Sequence, residues 1–229
     1  NTSRYVRTLL NNYGYITTEN INSEWNYNIL SPQRDKDNAK NAAFTACSLT
    51  VFQDAQLDYA FRYRGNQENN WLMRFLGLDL SLFTSTGIYK RPALTYKTMN
   101  ILTKDTPLRL TTPSMNASDE ITYLGGISAD KTNISILISN FNEDDTVYTI
   151  QMTNLPWQTT YTTVQYLIDE NHHFEIQENT KQNTSTYNKT ETLTKNTVHF
   201  YRFTNTSTIP EEGPEVTQIP WLLRLRLLD

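Results

Sequence analysis

Apolar positions follow helical spacing in the first part of the chain and strand spacing in the second. In "SRYVRTLLNNYG", Tyr5, Val6, Leu9 and Leu10 fall on one helical stripe that stops at Gly14, as an amphipathic helix with a glycine terminator does. A short strand through Ile21 is expected next. "DNAKNAAFTACSLTVFQDA" resumes the helical spacing at Ala43, Ala46, Cys47 and Thr50, with Asp37 in place to cap it. "LDYAFRYR" is aromatic and of strand length, and "RPALTYKTMNILTK" opens on Pro92, which a first helical turn tolerates. Helix, strand, helix, strand, helix is the order of a parallel sheet with covering helices.

Beyond "KDTPLRL" the period changes. "EITYLGGIS", "NISILISN", "DTVYTIQMTN", "TTVQYLID" and "NTVHFYRF" are β-branched and aromatic runs of strand length, separated by "NEDD", "LPWQ" and "NTKQNTS". They predict an antiparallel sandwich rather than a barrel. The chain therefore divides into an α/β part, 1–104, an all-β part, 105–207, and a final segment, 208–229. In that last segment "IPEEGPEVTQIP" reads as a linker and "WLLRLRLLD" as an apolar tail. The alternation of Leu and Arg from Leu223 to Leu227 suits an edge strand, so the tail is expected to pair with a sheet edge of its own chain or of a second copy in a homo-oligomer.

Composition narrows the function. The 229 residues carry 24 acidic and 20 basic side chains, a net charge of −4, so the positive excess that a phosphate backbone requires is missing and no nucleic acid partner is expected. No apolar run is long enough to span a bilayer. A lone Cys47 forms no internal disulfide and reads as a small buried hydrophobe rather than a reactive thiol. Adjacent His172 and His173 would face opposite sides of a strand, His199 reads as packing, and the acids of "NEDD" mark a solvated turn, so neither a metal nor a cofactor is expected. Trp157 and Trp221 suit either sugar platforms or buried anchors. Sequons at Asn1, Asn116, Asn133, Asn183, Asn188 and Asn205 point to a secreted, cell-surface or lysosome-like glycoprotein, although a chain so rich in Asn, Ser and Thr supplies several by chance.

One carboxylate stands apart. In "NINSEWNYN", Glu24 follows the first strand and sits beside Trp25 and Asn26. A carboxylate at the C-terminal end of a parallel barrel strand meets substrate, because the βα loops open there; taken alone, the same residue reads more readily as a surface charge or a helix cap.

The ordered set around it resembles glycoside hydrolase family 39, the β-xylosidases, α-L-iduronidases and their relatives. "VRTLLNNYGYITTENINSEWNYN" resembles the family's helix, Tyr-Gly turn and seventh barrel strand ending in Glu-Trp-Asn. "NAAFTACSLTVF" is similar to its seventh helix, "LDYAFRYRGN" to its eighth strand and "GLDLSLFTSTGIYKRPALTYKTMNIL" to its closing segment. "NISILISNFNEDDTVYTIQMTNLPWQTTYTTVQYLIDENHH" resembles its accessory β-sandwich. The resemblance implies the C-terminal part of a (β/α)8 TIM barrel followed by a sandwich, a retaining glycosidase activity, and Glu24 as nucleophile, with Trp25, Asn26 and Tyr63 contacting a carbohydrate substrate. Arg64 stands where many relatives have an acid, and could pair with a uronate or with a local carboxylate. The family's acid/base glutamate lies on a fourth strand, usually in an Asn-Glu pair, and no such pair occurs here in a suitable context. The resemblance thus implies a partner, the N-terminal portion of the same precursor, carrying the other six strands and that acid. A non-catalytic structural or adhesive glycoprotein on the same scaffold is the alternative.

Overall fold

A computed structural model describes residues 2–28, 36–67, 71–76, 78–112, 114–115, 118–153, 155, 157 and 160–205. Helix α1 (Thr2–Asn12) ends where expected: Gly14, at φ +82°, lets the Gly14 N–H reach the Asn11 carbonyl at 3.1 Å and the Tyr15 N–H reach that of Leu10 at 2.8 Å. These two bonds form the Schellman closure that a left-handed glycine permits. Strand β1 (Ile21–Trp25) and strand β2 (Tyr59–Arg62) pair in parallel, joined by α2 (Ala39–Asp54). A short α3 (Trp71–Phe75), not foreseen from the sequence, precedes α4 (Arg91–Asp105), which has Pro92 in its first turn. The cap of α2 is Asn38, whose side chain accepts from the Asn41 N–H at 3.0 Å. Asp37 instead accepts from the Arg91 N–H at 2.8 Å and so ties the start of α4 to that of α2.

The second part is antiparallel throughout. Strands β3 (Leu108–Arg109), β4 (Ile121–Ile127), β5 (Asn133–Asn140), β10 (Thr197–Thr204), β7 (Tyr161–Ile168) and β8 (His173–Gln182) form one sheet in that order, while β6 (Thr146–Met152) pairs with β9 (Tyr187–Leu193) as a separate ribbon. The predicted sandwich is therefore lopsided, with six strands against two. Strands β8 and β9 escape a sequence reading because their exposed positions are polar, Ile176 apart, and the apolar alternation is diluted.

Alternation along β10 and β5 divides the work of the sheet's two faces. Tyr201, Phe203 and Ile138 pack under the ribbon with Ile150 and Tyr187. Phe200, Val198 and Leu137 pack on the other side against Ala43 and Ala46 of α2 and Met99 of α4, in a single core cluster that also contains Trp25. Small residues let α2 come close: Ser139 Oγ donates to the Ala43 carbonyl at 3.0 Å. Polar ties frame this contact. Arg91 donates to the carbonyls of Asp169 at 2.9 Å and Glu170 at 2.7 Å, and Arg202 pairs with Asp105 at 2.6 Å. Cys47 is buried, with its thiol donating to the Asp119 carbonyl, and burial pushes its pKa up to about 11.

Candidate functional site

The parallel pair positions the candidate residues. At the N-terminal ends of β1 and β2, Asp58 accepts from Arg7 at 2.5 Å and from the Asn20 N–H at 2.7 Å, which fixes where both strands begin. Register then runs Ile21 to Tyr59 and Asn22 to Ala60 but resumes at Trp25 to Arg62, so β1 advances three residues where β2 advances two. That irregularity is a bulge, a device that re-aims side chains. Asn22 and Trp25 consequently share the face toward the helices, and Ser23 and Glu24, lying inside the bulge, are both exposed. Among the described residues the Glu24 carboxylate has no hydrogen bond or ion pair.

Trp25 is 8% exposed and is caged by Phe52 at 5.0 Å, Phe44 at 6.2 Å and Tyr96 at 6.4 Å between ring centroids. The expectation that its indole contacts sugar is not met by this geometry: a ring held inside the core offers no face to a ligand, so Trp25 supports Glu24 from behind. The guanidinium of Arg62 lies 5.0 Å from the indole centroid and donates to Thr45 Oγ1 at 2.6 Å and Asn41 Oδ1 at 2.9 Å. Burial lowers its pKa to about 10, and it remains a cation at neutral pH.

Asn26, Tyr63 and Arg64 meet at the C-terminal ends of the same strands. Asn26 Nδ2 donates to the Leu80 carbonyl at 3.3 Å, the Arg64 N–H reaches that carbonyl at 3.4 Å, and the Tyr63 N–H donates to the Trp25 carbonyl at 3.1 Å. The Tyr63–Arg64 peptide is cis. The Tyr63 ring is 44% exposed. Arg64 turns onto its own loop, with Nε donating to the Asn66 carbonyl at 2.9 Å and NH2 to that of Gln67 at 3.0 Å. Its side chain thus braces the loop after β2. Segment 79–90 backs this rim, held by a buried ion pair between Lys90 and Asp79 at 3.0 Å.

The remaining candidates scatter. His172 donates or accepts through Nδ1 at 2.9 Å from Asp169 within a turn, and Trp157 is a buried anchor whose Nε1 donates to the Lys131 carbonyl at 2.7 Å. Asn133 is committed to its neighbours, with Oδ1 accepting from Thr204 and Nδ2 donating to Thr132, whereas Asn183, Asn188 and Asn205 are exposed. Asn1, Asn116, Trp221 and the tail 208–229 lie outside the described residues.

One cluster was not visible in the sequence. Between ribbon and sheet, Glu191 accepts from Gln165 at 2.8 Å, Tyr148 at 3.0 Å and Tyr201, and pairs with Lys189 at 2.6 Å, while His199 Nδ1 lies 2.7 Å from Tyr148 Oη. Burial opposes the charge on Glu191, but hydrogen bonds from His199, Lys189 and Tyr201 hold its carboxyl well below the usual range. The members lie on four strands far apart in the chain, which hides them from any spacing rule. An open cleft of about 500 Å³ borders them. The cluster satisfies itself and pins the ribbon to the sheet.

No family model and no curated protein sequence matches this chain. Solved structures do. A glucosidase from Croceicoccus marinus superposes with a TM-score of 0.72 at 21% identity, over 90% of this chain and 50% of that one. The GH39 enzyme from Xanthomonas axonopodis pv. citri follows at 0.64 and 12%, over 89% and 48%, and a monomeric β-xylosidase from Caulobacter crescentus CB15 at 0.63 and 12%, over 88% and 48%. The chain has a glycosidase-like fold and spans about half the length of these neighbours.

Proposed function

We propose that this chain is the nucleophile-bearing part of a retaining glycoside hydrolase. The observation that carries the proposal is Glu24, set by a bulge at the C-terminal end of a parallel strand, exposed, with Asn26 following it at the end of the same strand and Tyr63 at the end of the neighbouring one. In this reading β1 and β2 are the last two strands of a (β/α)8 barrel, whose chemistry gathers at that end. A Glu24 carboxylate oxygen attacks the anomeric carbon as the bond to the leaving oxygen breaks, and a second carboxyl group gives that oxygen its proton. The same second group then takes a proton from water, which attacks the anomeric carbon, releases the sugar and frees Glu24.

A retaining geometry needs the second carboxyl roughly 5 to 5.5 Å from the first, and we assign it to the N-terminal portion of the same precursor, carrying the remaining barrel strands. Supporting this, Tyr13, Tyr15, Ile16, Phe61, Trp71 and Phe75 are exposed on the α/β part, where a completed barrel would cover apolar surface. The exposed sequons Asn183, Asn188 and Asn205 fit a secreted, cell-surface or lysosome-like glycoprotein. The same apolar surface would equally serve assembly in a non-catalytic glycoprotein, the second reading.

Glu24→Gln should abolish hydrolysis of aryl glycosides while leaving the circular dichroism spectrum unchanged; wild-type turnover in this variant excludes Glu24 as nucleophile. Peptide mapping of native material tests the partner. A monodisperse, folded species containing this chain alone refutes it.

A further inference from the structure

A cation beneath Trp25 is hard to justify by stability. Arg62 places its guanidinium against the indole and on two neutral acceptors, Asn41 and Thr45, with no carboxylate among its hydrogen-bond or ion-pair partners. Its Nε and the Trp25 Nε1 are buried without a hydrogen-bond partner among the described residues, the buried Tyr96 hydroxyl beside the guanidinium being a further neutral group and not a counter-charge. Enclosing a charge without an opposite charge is costly, and an apolar side chain of similar volume commonly serves stability as well or better. What Arg62 supplies is direction. A flat fork fixed at two points on α2 sets its charge over one ring, and cation–π attraction holds that ring in register. Trp25 is the residue at which β1 recovers its pairing after the bulge, opposite Arg62 itself. Whatever fixes Trp25 fixes the bulge, and the bulge sets where Glu24 stands.

We infer that Arg62 is a positioning residue for Glu24, acting through the indole of Trp25 to hold the bulge in the conformation that presents the carboxylate. This rests on the glycosidase reading for the role of Glu24, and on the strand register and the Arg62–Trp25 contact for its own part. Misplacing a reacting group by about 1 Å can cost on the order of a hundredfold in rate, so a small relaxation of β1 should register in chemistry before it registers in stability.

The test compares wild type, Arg62→Met and Arg62→Lys in the complete protein. Each is incubated with a dinitrophenyl fluoroglycoside of glucose or of xylose, and covalent labelling of Glu24 is followed by intact mass and peptide mapping. The limiting labelling rate of Arg62→Met should fall at least about tenfold with the half-saturating probe concentration unchanged. Its urea midpoint should stay near wild type, because a buried charge leaves together with two hydrogen bonds. Arg62→Lys, which keeps the cation but loses the fork, should recover part of the rate. Labelling of Arg62→Met at the wild-type rate overturns the proposal, as does a slowing matched by a collapsed midpoint in both variants. Absence of labelling in wild type overturns the glycosidase reading, and the positioning role with it.

Discussion

Lys90→Met should be among the most damaging single changes outside the apolar core. Lys90 and Asp79 are both nearly enclosed, their side chains 6% and 4% exposed, with Nζ 3.0 Å from Oδ2 and 2.7 Å from Ser81 Oγ. Methionine keeps most of the volume and removes the charge, so the Asp79 carboxylate loses this buried counter-ion. Breaking one side of a buried pair costs about 3–5 kcal/mol, whereas replacing both partners together is close to neutral. Burial pushes the Asp79 carboxyl upward, but hydrogen bonds from Ser81 and Lys90 outweigh it and hold the group below the ordinary carboxylate value. Stability from a group lowered in this way is present above the unfolded value of 3.8 and is lost as pH falls through the folded one. In urea unfolding, Lys90→Met should therefore lose about 3–5 kcal/mol at neutral pH, and the gap to wild type should close in acid as Asp79 protonates. Asp79→Asn combined with Lys90→Met should return to within about 1 kcal/mol of wild type. A loss under about 1 kcal/mol, or one indifferent to pH, refutes the reasoning. Because segment 79–90 also carries the Leu80 carbonyl that receives Asn26, the single variant should disturb the rim beside Glu24 as well.

Two further outcomes follow from local geometry. A Cβ at Gly126 would lie 2.3 Å from the Thr106 carbonyl, so Gly126→Ala should lose about 1–3 kcal/mol in thermal or urea unfolding; an unchanged midpoint would show that β4 and the end of α4 are not held in close contact. Made in a secretory eukaryotic host, the protein should carry glycan at Asn188, on the outer face of β9, and none at Asn133, whose amide is engaged by Thr132 and Thr204; glycopeptide mass spectrometry showing an occupied Asn133 would contradict that hydrogen bonding.

Local pattern was enough to place α1, α2, α4 and seven of the ten strands, because their apolar and aromatic residues recur at spacings fixed by the backbone. It failed where the signal is not local. Tyr5 and Leu9 make a proper helical stripe, yet both are exposed and the buried residue of α1 is Arg7, engaged with Asp58 at 2.5 Å. Periodicity shows that a face is apolar without showing what covers it. Glu24 could be found as a carboxylate at a strand end, but the bulge that exposes it depends on pairing with β2, and no run of residues in β1 announces that. Trp25 looked like a ligand contact for the same reason: aromatic rings beside a carboxylate suit sugar binding and suit core packing alike, and only Phe44, Phe52 and Tyr96 decide between them. The Glu191 cluster required strand order, which composition does not encode.

The change of period near Asp105 invites the view that one module ends there and another begins. The packing of α2 and α4 says otherwise. One wall of the six-stranded sheet is closed by these two helices, through Ala43, Ala46 and Met99 against Leu137, Val198 and Phe200. Cutting the chain at that point would strip both pieces of the surface that keeps them dry, and each would be expected to aggregate. Expressed without the helices it shelters, the β part should not behave as a cassette that can be lifted out and transplanted.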